Sequence, residues 1–208
     1  AGATWRFYIP KEGGDRRLTF LDGNLDEEGM LDIPMFYEHG YLSHGSDKID
    51  VRCTREHETC PLCDGDDADY VGVLTVLEWT KWTDKDGVEH TYKRRLYVAK
   101  YMTLQKLQQK ATKYDGLTGA TFDVVRTGKR DARVGSDFDF VGKSSFEEIA
   151  GECEKPEHAY PAEYDNEPEL LYRTAEEIID MGLCKKPPVV GGKGPPRGLA
   201  NQAAANKL

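Results

Sequence analysis

Three cysteines and a histidine between positions 39 and 63 carry the strongest chemical signal in the chain. In the stretch HGYLSHGSDKIDVRCTREHETCPLCDGD, Cys60-Pro61-Leu62-Cys63 is a CxxC knuckle, with Cys53 seven positions upstream and His39 fourteen before that. Two thiolates two residues apart can face one ion, because the turn between them aims backbone amides at the sulfurs. A third Cys and a His then complete the tetrahedral, four-ligand shell that structural zinc prefers. The spacing His-x13-Cys-x6-Cys-x2-Cys therefore proposes a Cys3His zinc site. On spacing alone the fourth ligand stays open. His57 would give Cys-x3-His-x2-Cys-x2-Cys, and His44 is a further candidate, while His39 follows the apolar run from Ile33 to Tyr37 and precedes Gly40.

Other uses of these thiols fit less well. A redox CxxC opens a helix beside a βαβ pattern, and no such pattern surrounds Cys60. Disulfides are disfavoured by an odd count of five cysteines, three clustered and two isolated (Cys153 and Cys184, read as free thiols). No apolar signal segment opens the sequence, so a reducing, non-secreted location is expected. A shell filled by three Cys and one His leaves no position for water, so the ion would hold structure rather than catalyse. GxSxG, P-loop and HExxH motifs are absent from the sequence. The acidic run Asp64, Asp66, Asp67, Asp69 lacks the Glu that would finish a calcium loop. A non-enzymatic protein is expected, since a metal-dependent nuclease would rest on the supply of His and carboxylates alone.

A second pattern lies in the middle of the chain, where cations alternate with rings. Trp79 and Lys81 stand on one arm of a predicted hairpin, and Tyr92, Lys93, Arg94, Arg95 and Tyr97 on the other, followed by Lys100 and Tyr101. Single-stranded nucleic acid asks for this mixture, because cations track phosphates while ring faces stack on unpaired bases. Strand alternation puts Lys93, Arg95 and Tyr97 on one face and Tyr92 and Arg94 on the other. Some of these rings must fill the core instead. Lys106 on a following helix, and Arg126, Lys129, Arg130 and Arg133 around a second hairpin, would extend the track.

Overall charge would argue against a polyanionic partner, but it is unevenly spread. The net −9 divides into −9 for residues 1–70, +5 for 71–145 and −5 for 146–208. The basic portion coincides with the ring-bearing strands. No apolar run approaches the roughly 18 residues of a membrane span.

The elements that must position these residues read as mainly β. A strand over Trp5–Ile9 turns at 11–15 and returns over Arg16–Leu21, an acidic loop fills 24–32, and Ile33–Tyr37 is a short strand. Val71–Lys100 reads as a long hairpin around Asp84-Lys85-Asp86-Gly87. Thr103 is the expected N-cap of a helix with Leu104, Leu107 and Ala111 on its apolar face, ending near Gly116. Thr121–Arg126 and Val134–Val141 form a second hairpin. Residues 147–169 read as an acidic linker or covering flap, and Thr174-Ala175-Glu176-Glu177 as a capping box. Such hairpins with one interposed helix suit a small Greek-key barrel of the oligonucleotide-binding (OB) class. The expected organisation is a core over 1–145 with a zinc subdomain at 36–70, an acidic segment over 146–182, and a flexible, basic Gly/Pro-rich tail over 183–208.

His39-Gly40-Tyr41, Cys53 and Cys60-Pro61-Leu62-Cys63 resemble the zinc subdomain of the gene-32-type single-stranded-DNA-binding proteins of T-even-like bacteriophages. Weaker likeness runs from about residue 5 to 145, through 70–76, 92–107 and 119–142. The resemblance implies an OB-fold with an inserted Cys3His subdomain, His39, Cys53, Cys60 and Cys63 as the Zn2+ ligands, and sequence-tolerant binding of single-stranded DNA. It further implies roles in phage DNA replication, recombination and repair, in the cytoplasm of the infected host cell. Lys100 matches a family lysine by position; Tyr92, Arg94, Arg95, Tyr97 and Tyr101 match in kind. Replication or recombination proteins are expected partners of the acidic segment or tail. The family's acidic segment closes its chain, whereas here the acidic stretch at 147–180 precedes a basic end. A zinc-ribbon adaptor that binds a protein is the alternative reading.

Overall fold

Uninterrupted burial from Val71 to Glu78 marks the strand around which the molecule is arranged. The computed structural model describes residues 3–153 and 155–184. Seven strands form one antiparallel sheet: β1 (Asp15–Phe20), β2 (Met35–His44), β3 (Asp47–Arg52), β4 (Asp69–Thr83), β5 (Glu89–Lys100), β6 (Ala120–Val125) and β7 (Asp137–Lys143). Helix α1 (Tyr101–Tyr114) follows β5 directly. Beyond the sheet come α2 (Phe146–Glu152), three short 3-10 turns at Pro156–Ala159, Tyr164–Asn166 and Pro168–Leu170, and α3 (Ala175–Asp180).

Along one edge β4 pairs with β5 throughout. Its other edge is shared, with β2 on Asp69–Gly72 and β1 on Val76–Glu78. The sheet then runs outward to β3 on one side and through β6 to β7 on the other. The β4–β5 turn follows the expected chemistry: Asp84 Oδ1 accepts from the amides of Asp86 and Val88, and Gly87 takes φ +80.

Alternation along β4 feeds two apolar layers. Leu74 and Val76 join Leu18, Phe20, Tyr97, Phe122 and Val124 in the main core, closed by Leu104, Leu107 and Ala111 of α1. Val71, Val73 and Leu77 point the other way. There Ala162 and Leu170, then Ile149, Cys153 and Ala159, pack on them. Residues 146–153 and 155–170 thus lie on the outer face of the sheet, anchored by a few apolar side chains among many acidic ones. Helix and sheet approach closely at Gly72, where a Cβ would stand 2.7 Å from Leu104. A side chain there would push the ends of Leu104 and Ile33 aside.

Four elements differ from expectation. Trp5–Ile9 does not pair with the strand after it; one parallel bridge joins Arg6 to Leu96 on the far edge of β5. Ile9 N–H then donates to Arg133 O, and Gly13 N–H to Arg126 O, so this segment links β5 to the β6–β7 connection and curls the sheet. The predicted Ile33–Tyr37 strand starts at Met35 and continues to His44, because β3 pairs with its second half. Thr103 is not the N-cap. Lys100 holds that place with extended dihedrals, β5 running into α1 without a loop, and Thr103 is buried in the first turn. The second hairpin uses Asp137–Lys143 as its return strand, while Val134 sits in the core before it. The Thr174 capping box forms as read. The predicted tail lies, from residue 185 onward, outside the described residues.

Candidate metal centre and candidate nucleic-acid interface

His39 lies mid-strand in β2, opposite Val51, and its ring is fully buried. Cys53 follows the last residue of β3. The connection to β4 then makes two turns, His57 and Glu58 amides donating to Thr54 O, and Gly65 and Asp66 amides to Leu62 O. These turns bring Cys60 and Cys63 back under the strands. The donor atoms of His39, Cys53, Cys60 and Cys63 all lie within 4.8 Å of one another. Cys60 Sγ is 3.4 Å and Cys63 Sγ 3.7 Å from His39 Nε2, and Cys53 Sγ is 3.5 Å from Cys63 Sγ. Tetrahedral ligands at zinc bond lengths of about 2.0–2.3 Å would be separated by roughly 3.5–3.8 Å. The donor set thus fits an ion of that size.

Groups around the ligands complete the arrangement. His39 Nδ1 lies 3.0 Å from Asp66 Oδ2. With Nδ1–H donating to this carboxylate, Nε2 is left to face the thiols, the usual way a ligating imidazole is oriented. Arg55 donates through Nε to Cys53 Sγ at 3.2 Å and through Nη2 to Cys63 Sγ at 3.3 Å. Burial pushes the Cys60 thiol up, but the hydrogen bond with His39 and contacts with the Thr54 and Leu62 backbone outweigh it and bring the thiol well down. Burial and the neighbouring sulfurs push Cys63 up. One thiolate forms readily and the next resists, so full ionisation of the set asks for a compensating cation. Ile178 of α3 is fully buried among Val51, Cys53, Cys60 and Leu62 and lids the knuckle.

The other His candidates stand apart. His57 packs edge-on against Tyr172 at 5.1 Å, and His44 is exposed at the end of β2. Cys184 packs beside the cluster and Cys153 against Leu77 on the outer sheet face; both are free thiols.

Comparisons with protein-family models, curated proteins and solved structures return no match to this chain. The site is therefore read from its own geometry.

The predicted nucleic-acid residues are dispersed among different roles. Tyr97 is a correction. Its ring is fully buried between Phe7 and Phe20 with the hydroxyl donating to Val134 O, because this register of β5 turns it to the main core. Arg126 is likewise a buried brace, donating to Ile9 O and Lys129 O at the root of the β6–β7 connection. Two cations of β5 are already held: Arg94, on the outer face, by the carbonyls of Glu157 and Tyr160, and Arg95, on the face of Val76 and Tyr97, by Glu78 at 3.2 Å. The Tyr92 hydroxyl donates to Glu152, and Lys93 sits 4.9 Å over the Trp82 ring. Trp79 is partly exposed and donates to Thr19 Oγ1. Lys100 pairs with Asp69, and Lys106 donates to Ser136 O. Lys81, Tyr101, Lys129, Arg130 and Arg133 are exposed.

Sequence reasoning missed the supports of the site. Arg6 is buried and donates to both carboxylate oxygens of Glu38, at 2.9 and 2.7 Å, with Asp50 at 3.2 Å. This cluster ties the N-terminal segment to the β2–β3 hairpin that carries His39. Its only sequence signal is a lone arginine within an apolar run. Among the described residues no helix is long and apolar enough to cross a membrane.

Proposed function

We propose that this protein is a zinc-containing, non-enzymatic single-stranded-DNA-binding protein whose curled sheet is an OB-type barrel with an inserted Cys3His subdomain. The observation that carries this reading is the four-ligand cluster on a hairpin beside a β-sheet whose surface mixes exposed rings with exposed cations. The sulfur-rich donor set favours zinc over harder ions. The order and spacing of the ligands match those of the gene-32-type proteins, which supports coating of unpaired strands during phage replication, recombination and repair. The acidic segment, or the tail, would meet replication or recombination proteins.

Titration with fluorescent oligo-dT, oligo-rU and a duplex at two salt concentrations tests the reading. Expected is tighter binding to single strands than to duplex, with log K falling about 0.7 per log unit of salt for each phosphate neutralised. Binding indifferent to salt, or equal for duplex, overturns it. Charge reversal belongs at Lys81, Lys129 and Arg130, which are exposed, rather than at Arg95 or Lys100, whose ion pairs with Glu78 and Asp69 would also break. Unchanged DNA affinity in that triple variant favours the protein-binding adaptor.

A further inference from the structure

The β2 bulge after His39 does more than deliver a ligand. Gly40 and Tyr41 fall between the pairs His39–Val51 and Leu42–Ile49, and Tyr41 takes φ +57. That left-handed backbone disfavours any residue carrying a Cβ, and glycine would occupy it freely. A bulky ring is kept there nonetheless. Bulges commonly re-aim a side chain at a functional surface.

The ring is held in company. Asp50 Oδ1 accepts from the Tyr41 amide at 2.9 Å, and Asp50 Oδ2 accepts from the Tyr8 hydroxyl at 3.3 Å. One carboxylate thus gathers two tyrosines from distant parts of the chain, both outside the core, 49% and 43% exposed. Arg133, from the β6–β7 connection, places its guanidinium 4.6 Å from the Tyr41 ring centroid. Its side chain is exposed and makes no hydrogen bond or ion pair among the described residues. Arg6 meets the Asp50 charge at 3.2 Å but is shared with Glu38 and Glu169, so Arg133 is the cation that an approaching anion would meet at these rings.

We propose that Tyr8, Tyr41 and Arg133 form a subsite for an unpaired nucleotide, the base stacking on tyrosine and the guanidinium meeting its phosphate. Planar rings beside a planar cation that no carboxylate neutralises among the described residues match a ligand that is flat and anionic at once, which a nucleotide is and an apolar peptide is not. Lys129 and Arg130 on the same connection supply exposed cations for the neighbouring phosphates. The subsite rests on the single-strand-binding reading and locates one point of contact for it.

The test uses the full chain and fluorescent oligo-dT at fixed low salt, with Tyr41→Gly, Tyr41→Phe and Arg133→Ala. Tyr41→Gly removes the ring from a backbone that glycine accepts, so the melting temperature should stay close to that of wild type. Its affinity should fall roughly 5- to 150-fold, the worth of one stacked base, whereas Tyr41→Phe should bind nearly as wild type does. Arg133→Ala, at an exposed position, should weaken binding severalfold and reduce the salt slope by about 0.7. If wild type binds single strands in a salt-dependent way while Tyr41→Gly and Arg133→Ala stay within twofold of it, the subsite is wrong and the broader reading stands. If wild type binds no oligonucleotide, both fall.

Discussion

Asp22 leaves β1 beneath the segment that covers the outer sheet face, and its protonation should control how firmly that segment is held. One carboxylate oxygen accepts from the Thr75 amide at 2.9 Å, and the other accepts from the Tyr164 hydroxyl. Thr75 Oγ1 in turn lies 2.8 Å from the Tyr164 oxygen and accepts from the Ala162 amide at 2.9 Å. Burial raises the Asp22 carboxyl and those hydrogen bonds lower it, leaving it pushed up from 3.8 to about 6. Between these values the folded state holds a proton that the unfolded chain has lost. The stabilisation is therefore complete below about pH 4, declines as pH rises and is gone above about 6. Two units at 1.36 kcal/mol each give about 3 kcal/mol.

Asp22→Asn keeps a neutral, hydrogen-bonding group and should remove that dependence. Urea unfolding of wild type and variant, in steps from pH 4 to pH 7, reads the difference between them. Other groups cancel in that difference, including Glu169, which burial also raises. Stability of wild type relative to variant should drop by about 2.5 kcal/mol across the range, most of it below pH 6. A difference constant to within about 0.5 kcal/mol would refute the reasoning, because neither burial nor the Tyr164 contact would then bear on the carboxyl.

Two further outcomes are expected. Cys60→Ser and His39→Ala should each abolish stoichiometric zinc, measured by elemental analysis, and expose 39–63 to limited proteolysis while β4 and β5 stay protected; His57→Ala, which touches Tyr172 rather than the cluster, should retain the metal. Arg6→Ala leaves Glu38 and Asp50 without their buried cation and should cost about 3–5 kcal/mol in urea unfolding, whereas Arg6→Met with Glu38→Met should cost much less.

How far the chain could be read in advance follows from the range of each signal. Ligand spacing, the Thr174 capping box and the β4–β5 turn are local patterns, and each formed as read. The role of Tyr97 was not legible, because alternation separates two faces of a strand without saying which is interior. On β4 even that distinction vanishes, since Val71–Glu78 is buried on both sides. The outer cover comes from 146–153 and 155–170, whose apolar anchors Ile149, Ala159, Ala162 and Leu170 are too sparse for any period and stand in acidic, Pro-containing sequence. The N-terminal segment was misplaced for a related reason. Its turn at 11–15 suggested a local hairpin, but the long-range pairing of Arg6 with Leu96 took its hydrogen bonds.

The β2–β3 hairpin that carries His39 joins the rest of the sheet through Met35–Glu38 on β4 and through buried Phe36, and beyond Glu38 β2 is paired with β3. Two paired strands alone are marginal in water, and the buried aliphatic side chains around the ligands are Val51, Leu62 and Ile178. Polar ties add to these, namely the Arg6 cluster and, with a metal bound, the donor set, whose ligation in comparable small sites is worth on the order of 10 kcal/mol. His39 stands directly before the bulge that carries Tyr41, and Asp50 of β3 fixes both Tyr41 and Tyr8. Whatever holds His39 and Cys53 therefore also sets the register of β2 against β3, and with it the placement of the exposed rings. The main core draws on β1, β4, β5, β6, β7 and α1 but on no residue of this hairpin. On the proposed reading, loss of a metal bound there should loosen the ring-bearing surface while the rest of the sheet persists, so that a structural ion would act on recognition without touching the ligand.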